Sequence, residues 1–337
     1  MSLLVIIPSV LTSIMFLIFF NKIEIYFNLK DYGDGKRKFQ TKPVSLLGGT
    51  ILFINFLIYF LLHTYNNKLF TFDYIMNSRE LFSLVFGSII FFLYGLYDDK
   101  FKLSANYKLI ISFFLVLLFV TVDNNLLITE LQFSFLKNSI DLKNFSYFFT
   151  ILAFLLFMNA LNMFDGINLQ SGTYILIIFI IFLFKGISFN LILSLIFPLM
   201  IFLTLNFNNK VYMGESGIQF AAYIISYLFI KSNNYDNLSF YADEIFIIMG
   251  LPGLDMFRLF ITRLLSGRHP FKPDTNHIHH LVSSYFSKNI SFVIILTYIL
   301  ISIYLYLNIE NKLIYIIFFL LAYIFVITFL VKLKKKN

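Results

Sequence analysis

The stretch Tyr94-Gly95-Leu96-Tyr97-Asp98-Asp99-Lys100 decides the fold, because it ends a long apolar run with two adjacent carboxylates. The run begins at Leu81 and is long enough for a membrane-spanning helix. A carboxylate at the end of such a helix is costly unless it lies in water or holds a cation. Two adjacent carboxylates also repel each other, so we expect a metal ion or a basic side chain beside them. The alternative is a solvated helix end that pairs with Lys100 or Lys102.

The composition of the chain is that of an integral membrane protein. Of its 337 residues, 59% are hydrophobic and only 13% are charged, and the mean hydropathy is +0.82. A soluble domain is closer to half apolar and a quarter charged. The apolar segments are unbroken and do not alternate with polar residues, so they predict helices and not a β-barrel. The chain has no cysteine, which excludes disulfides, thiolate nucleophiles and thiolate metal sites.

The apolar runs predict an all-α polytopic membrane protein with about eleven transmembrane helices in one domain, residues 1–337. The predicted spans cover residues 2–20, 45–62, 81–97, 109–122, 147–164, 174–184, 191–207, 218–230, 244–261, 290–307 and 313–331. The pair Pro252-Gly253 is expected to break or kink the ninth span, which then becomes a candidate wall for a lipid groove. A period-two pattern between Glu130 and Leu142 predicts a small periplasmic hairpin.

The basic residues predict the orientation of these spans. With eleven spans, 19 of the 26 Lys and Arg residues fall on one side of the membrane. That side is therefore predicted to be cytoplasmic, with the N-terminus outside and the C-terminus in the cytoplasm. The net charge of +8 is explained by this topology, so no nucleic-acid partner is expected.

Four polar clusters fall on the predicted cytoplasmic side and predict a single cleft for the active site. They are Asp98-Asp99, residues 159–168, residues 212–217 and residues 255–280. Asn159, Asn162 and Asp165 share one helical stripe, for which interhelical hydrogen bonding is the alternative. Residues 214–217 predict a tight loop bounded by glycines, which could approach phosphates closely. The alternative is an ordinary connection between helices. The last cluster holds four of the five histidines together with several basic residues, and this composition suits binding of phosphate. The alternative is a structural metal site.

Taken together, these motifs resemble the polyprenyl-phosphate N-acetylhexosamine-1-phosphate transferases, and most closely the branch that initiates O-antigen synthesis. The matching stretches are Gly48-Gly49, residues 95–99, residues 159–166, residues 212–217 and residues 251–281. The resemblance implies that a UDP-N-acetylhexosamine gives its sugar-1-phosphate to undecaprenyl phosphate and that UMP is released, as the first membrane step of a cell-surface glycan. It also implies Mg²⁺, with Mn²⁺ as an alternative, and a multi-pass location in a bacterial inner membrane. The expected partners are the two substrates, the lipid bilayer and a second copy of the chain.

The resemblance also assigns roles to individual residues. The implied catalytic residues are Asp98, Asp99, Asp165 and His279, and the implied metal ligands are Asp99 and Glu215. The implied substrate-binding residues are Lys42, Asn159, Asn162, Asn168, Tyr212, Arg263, His277 and His280. Whether Asp98 acts as a general base or forms a phosphorylated intermediate stays open.

Two departures from the family pattern keep other functions open. Asn168 stands where the family has a second aspartate, and Glu215 stands where it has a shorter aspartate. These changes leave open the alternative that the chain is an inactive relative of the family that binds lipid. A membrane transporter is the other alternative, and it would require polar groups near the middle of the membrane and internal repeats.

Overall fold

The computed structural model describes residues 2–32, 42–235, 239–270 and 274–336. Within these ranges the chain forms twelve α-helices and two short antiparallel strand pairs. The helices are α1 Ser2–Phe27, α2 Gly48–Tyr65, α3 Ser78–Phe101, α4 Ala105–Val122, α5 Ser146–Phe164, α6 Gln170–Phe184, α7 Phe189–Phe207, α8 Gly214–Tyr235, α9 Ala242–Leu265, α10 Ile278–Ser283, α11 Lys288–Asn308 and α12 Lys312–Lys336. The strands are β1 Lys30–Asp31, β2 Val44–Ser45, β3 Glu130–Leu131 and β4 Ile140–Asp141.

The prediction of an all-α membrane protein is confirmed. Each of the eleven predicted runs overlaps one helix of 15 residues or more. In the described ranges, nine of these helices are long and apolar enough to cross a membrane. The other two are α6, which has only 15 residues, and α8, which carries Glu215 and Lys231. The side of the membrane on which each helix end lies stays a prediction.

Three details of the predicted helices were wrong. First, α3 continues to Phe101, so Asp98 and Asp99 lie in its last turn and not beyond it. Second, residues 214–217 form the first turn of α8, where a loop was predicted. Third, α9 runs without interruption through Pro252 and Gly253, so the helix is not broken there, while a kink stays a prediction. A proline removes one backbone donor, and this loss is tolerated inside a helix that packs against others in a membrane.

The first of two compact units, Met1–Leu126 with Gly172–Tyr235, contains the antiparallel helices α3 and α8. Gly95 on α3 lies against the backbone of Ser216 on α8, and a Cβ at Gly95 would overlap that backbone. Eight residues earlier along α3, Gly87 lies against the Tyr223 ring, so the contacts run in opposite order along the two helices. The C-terminal end of α3 is therefore held beside the N-terminal end of α8.

The other end of this helix pair carries a buried ionic cluster. The Lys231 ammonium donates a hydrogen bond of 2.8 Å to Asp123 Oδ1 and lies 3.5 Å from Glu80 Oε1. Asn125 also donates to Glu80 Oε1 at 2.7 Å, and Tyr235 donates to the same oxygen. The cluster ties the first turn of α3 and the end of α4 to the last turns of α8.

The second unit, Leu127–Ser171 with Asp236–Asn337, contains α5, α9, α10, α11, α12 and the β3–β4 pair. Its apolar core includes Ile247, Tyr306, Tyr315 and Phe319. The predicted hairpin is present, with Glu130 opposite Asp141 and Leu131 opposite Ile140. Its periplasmic location, like the prediction of one domain for residues 1–337, stays a prediction.

Candidate active site

Asp98 has hydrogen-bond donors for both of its carboxylate oxygens. Lys102 adopts a left-handed conformation with φ of 53° and ends α3, and the next amide, that of Leu103, donates to Asp98 Oδ1 at 2.8 Å. The second oxygen pairs with the ammonium of Lys108, in the first turn of α4. Neither Lys100 nor Lys102 is the partner of Asp98, so that alternative was wrong. The basic partner lies on the following helix.

Lys108 also binds Glu215 from the first turn of α8. Its Nζ donates to Glu215 Oε1 at 2.7 Å, so one ammonium joins carboxylates from α3 and α8. The Asp98 side chain is 3% exposed, whereas those of Lys108 and Glu215 are 26% and 24% exposed. The cluster therefore has a buried base and an open side at which an anion or a metal ion can reach the charged groups.

Asp99 holds the beginning of α8. Its Oδ1 accepts from the amide of Glu215 at 2.9 Å, and its Oδ2 accepts from the amide of Ser216 at 3.1 Å. The first amides of a helix have no acceptor within the helix, and a carboxylate there also interacts favourably with the helix dipole. This acceptor explains why residues 214–217 begin a helix where the sequence predicted a loop.

The donor set of this cluster fits Mg²⁺ held jointly with phosphates. Among the described residues, no three His, Asp or Glu side chains form a group that could hold a metal by themselves. Mg²⁺ usually takes one or two protein carboxylates and completes its shell with water and substrate phosphates. Asp98, Asp99 and Glu215 provide carboxylate oxygens around Lys108 and the start of α8. The predicted ligands Asp99 and Glu215 are therefore brought together, with Asp98 beside them.

The other predicted residues of the first unit lie in its connections. Lys42 is exposed just before β2, and most of the basic segment that precedes it, residues 33–41, lies outside the described residues. Tyr212 is half-buried two residues before α8. Its amide donates to the Ser45 carbonyl at 2.8 Å, and its carbonyl accepts from the amide of Gly48 at 2.9 Å. Backbone contacts thus fix Tyr212 beside the N-terminus of α2.

In the second unit, the predicted polar stripe lies at the end of α5. The side-chain amide of Asn159 donates to the Leu155 carbonyl at 2.7 Å, and the amide of Asp165 donates to the Asn162 carbonyl at 3.2 Å. Asp165 is the residue that ends the helix, and it accepts a hydrogen bond from the Ser171 hydroxyl. Asn168 is half-buried in the turn between them. Asn159, Asn162, Asp165 and Asn168 are thus brought together in one short segment.

The turn after α5 packs against the histidine segment. Gly166 lies against the His279 ring, and a Cβ at Gly166 would overlap Nε2 of that ring. His279 is only 2% exposed, and its Nδ1 has no hydrogen-bond partner in the described part of the chain. Burial lowers the pKa of His279 well below its ordinary value of 6.5, and the neighbouring His280 and His277 lower it further. His279 is therefore neutral at pH 7.

His277 is oriented by Asp255, a residue to which the sequence assigned no role. His277 Nδ1 lies 3.0 Å from Asp255 Oδ2, and the Arg258 guanidinium donates to Asp255 Oδ1 at 2.7 Å. The His277 ring is nearly parallel to that of His279, with 5.4 Å between the centroids. The His280 ring centroid lies 4.3 Å from that of His279 and 6.4 Å from that of His277. The three predicted histidines therefore form one cluster.

Arg263 is buried and fixes the segment before the histidines. Its Nε donates to Asp274 Oδ2 at 2.9 Å and its Nη1 donates to the Pro270 carbonyl at 2.8 Å. Burial opposes ionisation of Asp274, but the hydrogen bond from Arg263 prevails and lowers the pKa of that carboxyl. Arg263 Nη2 is buried without a hydrogen-bond partner among the described residues. Lys272 lies outside those residues.

The structure thus gathers the predicted residues into two clusters, one in each unit. The first unit holds Asp98, Asp99 and Glu215, and the second holds Asp165, Arg263 and the histidines. The sequence analysis gave no role to Lys108, and it named Asp255 only as the beginning of a polar cluster. A signal for Lys108 was present, because a lysine in the apolar segment after Asp98-Asp99 satisfies the need of those carboxylates for a basic partner.

A family model matches the middle of the chain. Residues 81–233 match the model of glycosyl transferase family 4, and this range contains Asp98, Asp99, Lys108, Asp165 and Glu215.

The curated relatives are bacterial enzymes with similar names. The undecaprenyl-phosphate alpha-N-acetylglucosaminyl 1-phosphate transferases of Salmonella typhi and Escherichia coli K12 are each 26% identical to the chain, over 293 and 296 residues. A probable undecaprenyl-phosphate N-acetylglucosaminyl 1-phosphate transferase of Bacillus subtilis is 27% identical over 287 residues. Each alignment covers 83% of this chain and 76% of the relative. The chain is therefore similar to these transferases over most of its length, and the nine apolar helices among its described residues make it a multi-pass inner-membrane protein.

Proposed function

We propose that the chain transfers N-acetylglucosamine-1-phosphate from UDP-N-acetylglucosamine to undecaprenyl phosphate. An oxygen of the lipid phosphate forms a new bond to the phosphorus that carries the sugar, and the bond from that phosphorus to UMP breaks. The products are a lipid-linked diphosphate sugar and UMP. The names of the relatives support this choice of acceptor and sugar. We further propose that the product begins the assembly of a cell-surface glycan.

The observation that carries the proposal is the position of Lys108 between Asp98 and Glu215. The reaction brings two phosphate groups together, so the site must offset their mutual repulsion. A partly exposed ammonium, held in place by two carboxylates, can hydrogen-bond a phosphate oxygen while its aliphatic stem stays buried. Asp98 fixes the lysine from the buried side, and Glu215 fixes it from α8.

We propose that Asp99 and Glu215 provide the protein oxygens that hold Mg²⁺. When bound, Mg²⁺ would neutralise phosphate charge and orient the two reactants. Asp99 keeps its hydrogen bonds to the start of α8, which would hold its oxygens in place for this role.

The histidine cluster is proposed to bind the donor diphosphate. Arg263 has a buried guanidinium nitrogen without a partner in the described part of the chain, and a guanidinium is well suited to phosphate oxygens. Asp255 accepts a hydrogen bond from His277 Nδ1, which fixes the His277 ring beside that of His279. His279 carries no charge at pH 7, so the cluster can place a neutral hydrogen-bond donor close to the anionic substrate.

The proposed function is tested with purified protein, undecaprenyl phosphate and UDP-N-acetylglucosamine, followed by mass analysis of the lipid. We expect the lipid diphosphate sugar and UMP in equal amounts, and we expect both to disappear when EDTA replaces Mg²⁺. Asp98→Asn should abolish most product, whereas Asp141→Asn, the same change on the exposed β4 strand, should leave it unchanged. Parallel reactions with UDP-N-acetylgalactosamine and UDP-glucose define the sugar. Absence of any lipid product from all three donors would refute the proposal.

The two alternatives make different predictions. A transporter needs its polar groups near the middle of the membrane, but Asp98 lies in the last turn of α3 and Glu215 in the first turn of α8. An inactive relative would produce no lipid-linked sugar, and Asn168→Asp would not restore it. A measurable rate in the unaltered chain excludes that alternative directly.

A further inference from the structure

Gln170 is a buried amide without a partner. The residue is 3% exposed, and neither Nε2 nor Oε1 has a hydrogen-bond partner within the described residues. A carboxamide offers two donor hydrogens and two acceptor lone pairs, and burying them unpaired costs free energy. Buried polar groups in native proteins are nearly all paired. An amide that is buried with both ends unpaired therefore points to a hydrogen-bond partner outside the chain.

The backbone before Gln170 has an uncommon conformation. Leu169 has a φ of 69°, in the left-handed region that leucine rarely adopts. Such a conformation costs free energy, so the contacts of the surrounding turn must hold it in place. The conformation of Leu169 ends the turn that follows α5 and places Gln170 as the first residue of α6.

The same turn belongs to the candidate active site. Ser171, the next residue, donates its hydroxyl hydrogen to Asp165, and Gly166 lies against the ring of His279. His279 Nδ1 is also buried without a hydrogen-bond partner in the described part of the chain. Two unpaired buried polar groups thus belong to segments that are in contact with each other. The family pattern assigned no role to Gln170.

We infer that Gln170 recognises the nucleotide-sugar donor by pairing its carboxamide with a substrate edge that presents a hydrogen-bond donor beside an acceptor. The inference rests on the proposed function. Two parts of the donor have such an edge: the imide of uracil, with N3–H beside a carbonyl oxygen, and the sugar, with its neighbouring polar groups. A carboxamide can form two parallel hydrogen bonds with either, which gives specificity as well as affinity.

The variant Gln170→Met separates this role from a structural one, because methionine has a similar length and lacks both polar ends. Without ligand, we expect the full-length variant in detergent to unfold at the same temperature as the unaltered chain or above it, since the unpaired amide is gone. The matched control is Gln132→Met, in the β3–β4 connection of the same unit. A lower unfolding temperature or failure to fold for Gln170→Met would overturn the inference, because the amide would then have a structural partner.

Binding is measured on the same proteins by calorimetry with UMP and with UDP-N-acetylglucosamine. We expect Gln170→Met to weaken binding of UDP-N-acetylglucosamine by ~10-fold or more, the effect of losing hydrogen bonds from a buried site. Gln132→Met should bind as the unaltered chain does. If UMP binding weakens equally, the recognised edge is uracil; if UMP binding is unchanged, it is the sugar.

Two other results would overturn the inference in distinguishable ways. Equal affinity of Gln170→Met and the unaltered chain for both ligands would refute the role of Gln170 and leave the proposed function intact. Failure of the unaltered chain to bind either ligand would refute the proposed function, and this inference with it.

Discussion

Lys231 and Asp123 form an ion pair with 2.8 Å between Nζ and Oδ1, and neither side chain is more than 1% exposed. Glu80 is the second carboxylate near the same ammonium, at 3.5 Å. Asp123 Oδ2 is buried without a hydrogen-bond partner among the described residues. Such a group depends on its cation, because removing one partner of a buried pair leaves an uncompensated charge.

Lys231→Met should therefore destabilise the protein by about 3–5 kcal/mol, the usual effect of breaking a buried ion pair. The measurement is denaturant unfolding in detergent. Lys68→Met, which removes an exposed lysine from the same unit, should change the free energy of unfolding by less than about 0.5 kcal/mol. Adding Glu80→Gln and Asp123→Leu to Lys231→Met should restore much of the stability, because the unpaired charges are then gone. Equal stability of Lys231→Met and Lys68→Met would show that the ion pair contributes little.

Lys108→Gln should lower the turnover number about 100-fold, as expected when a group that stabilises developing charge is removed. The physical reason is that glutamine cannot offset the charge of Asp98 and Glu215, or that of a phosphate. Lys100→Gln is the matched control, because Lys100 is exposed and is not the partner of Asp98. Turnover is measured as UMP release. A loss in Lys100→Gln with full activity in Lys108→Gln would contradict the assigned pairing.

Gly95→Ala should destabilise the protein by about 1–3 kcal/mol, because its Cβ would overlap the backbone of Ser216 and force α3 and α8 apart. Gly253→Ala is the control within another helix. No atom lies within 4 Å of a Cβ at Gly253, so this change should stabilise α9 by about 0.5–1 kcal/mol through its helix propensity. Unfolding in detergent measures both. The expected effects have opposite signs, and a stabilised Gly95→Ala variant would exclude the close approach of the helices.

Stability should fall as the pH is lowered below 6.5, because His279 is buried in its neutral form. The folded pKa is lowered by burial and by the neighbouring His280 and His277, while the nearby Asp255 opposes this effect. Below pH 6.5 the unfolded chain binds a proton that the folded chain does not, so this histidine contributes a loss of up to about 1.4 kcal/mol per pH unit. His279→Gln should reduce this slope, and His269→Gln, at an exposed position, should not. Identical slopes in the two variants would assign the pH dependence to other groups.

Most of the helices could be predicted because their positions depend on local sequence. Long apolar runs favour helices in a membrane whatever lies around them, and the alternation between Glu130 and Leu142 predicted the hairpin correctly. The pairing of Asp98-Asp99 with a cation was also predictable, since adjacent carboxylates require one. These features depend on composition and spacing alone.

The details that the sequence did not predict correctly depend on contacts between residues that are distant in the chain. The start of α8 at Gly214 depends on Asp99, which lies 116 residues before Glu215 in the chain. The choice of Lys108 over Lys100 depends on how the chain turns at Lys102, where a left-handed residue ends α3. The role of Asp255 appears only when α9 is placed beside the histidine segment. Residue types along one segment do not reveal such partners.

The contact between Asp99 and the start of α8 also determines when this cluster can form during synthesis. Helices α3 and α4 leave the ribosome long before Glu215 and Ser216 are made, because 116 and 117 residues separate Asp99 from these positions. Asp98 and Lys108 can meet on the nascent chain, while Asp99 still lacks the amides of Glu215 and Ser216. A translation product that stops before α8 thus has two helices of the cluster but lacks the third carboxylate, so premature termination yields an inserted yet chemically incomplete protein.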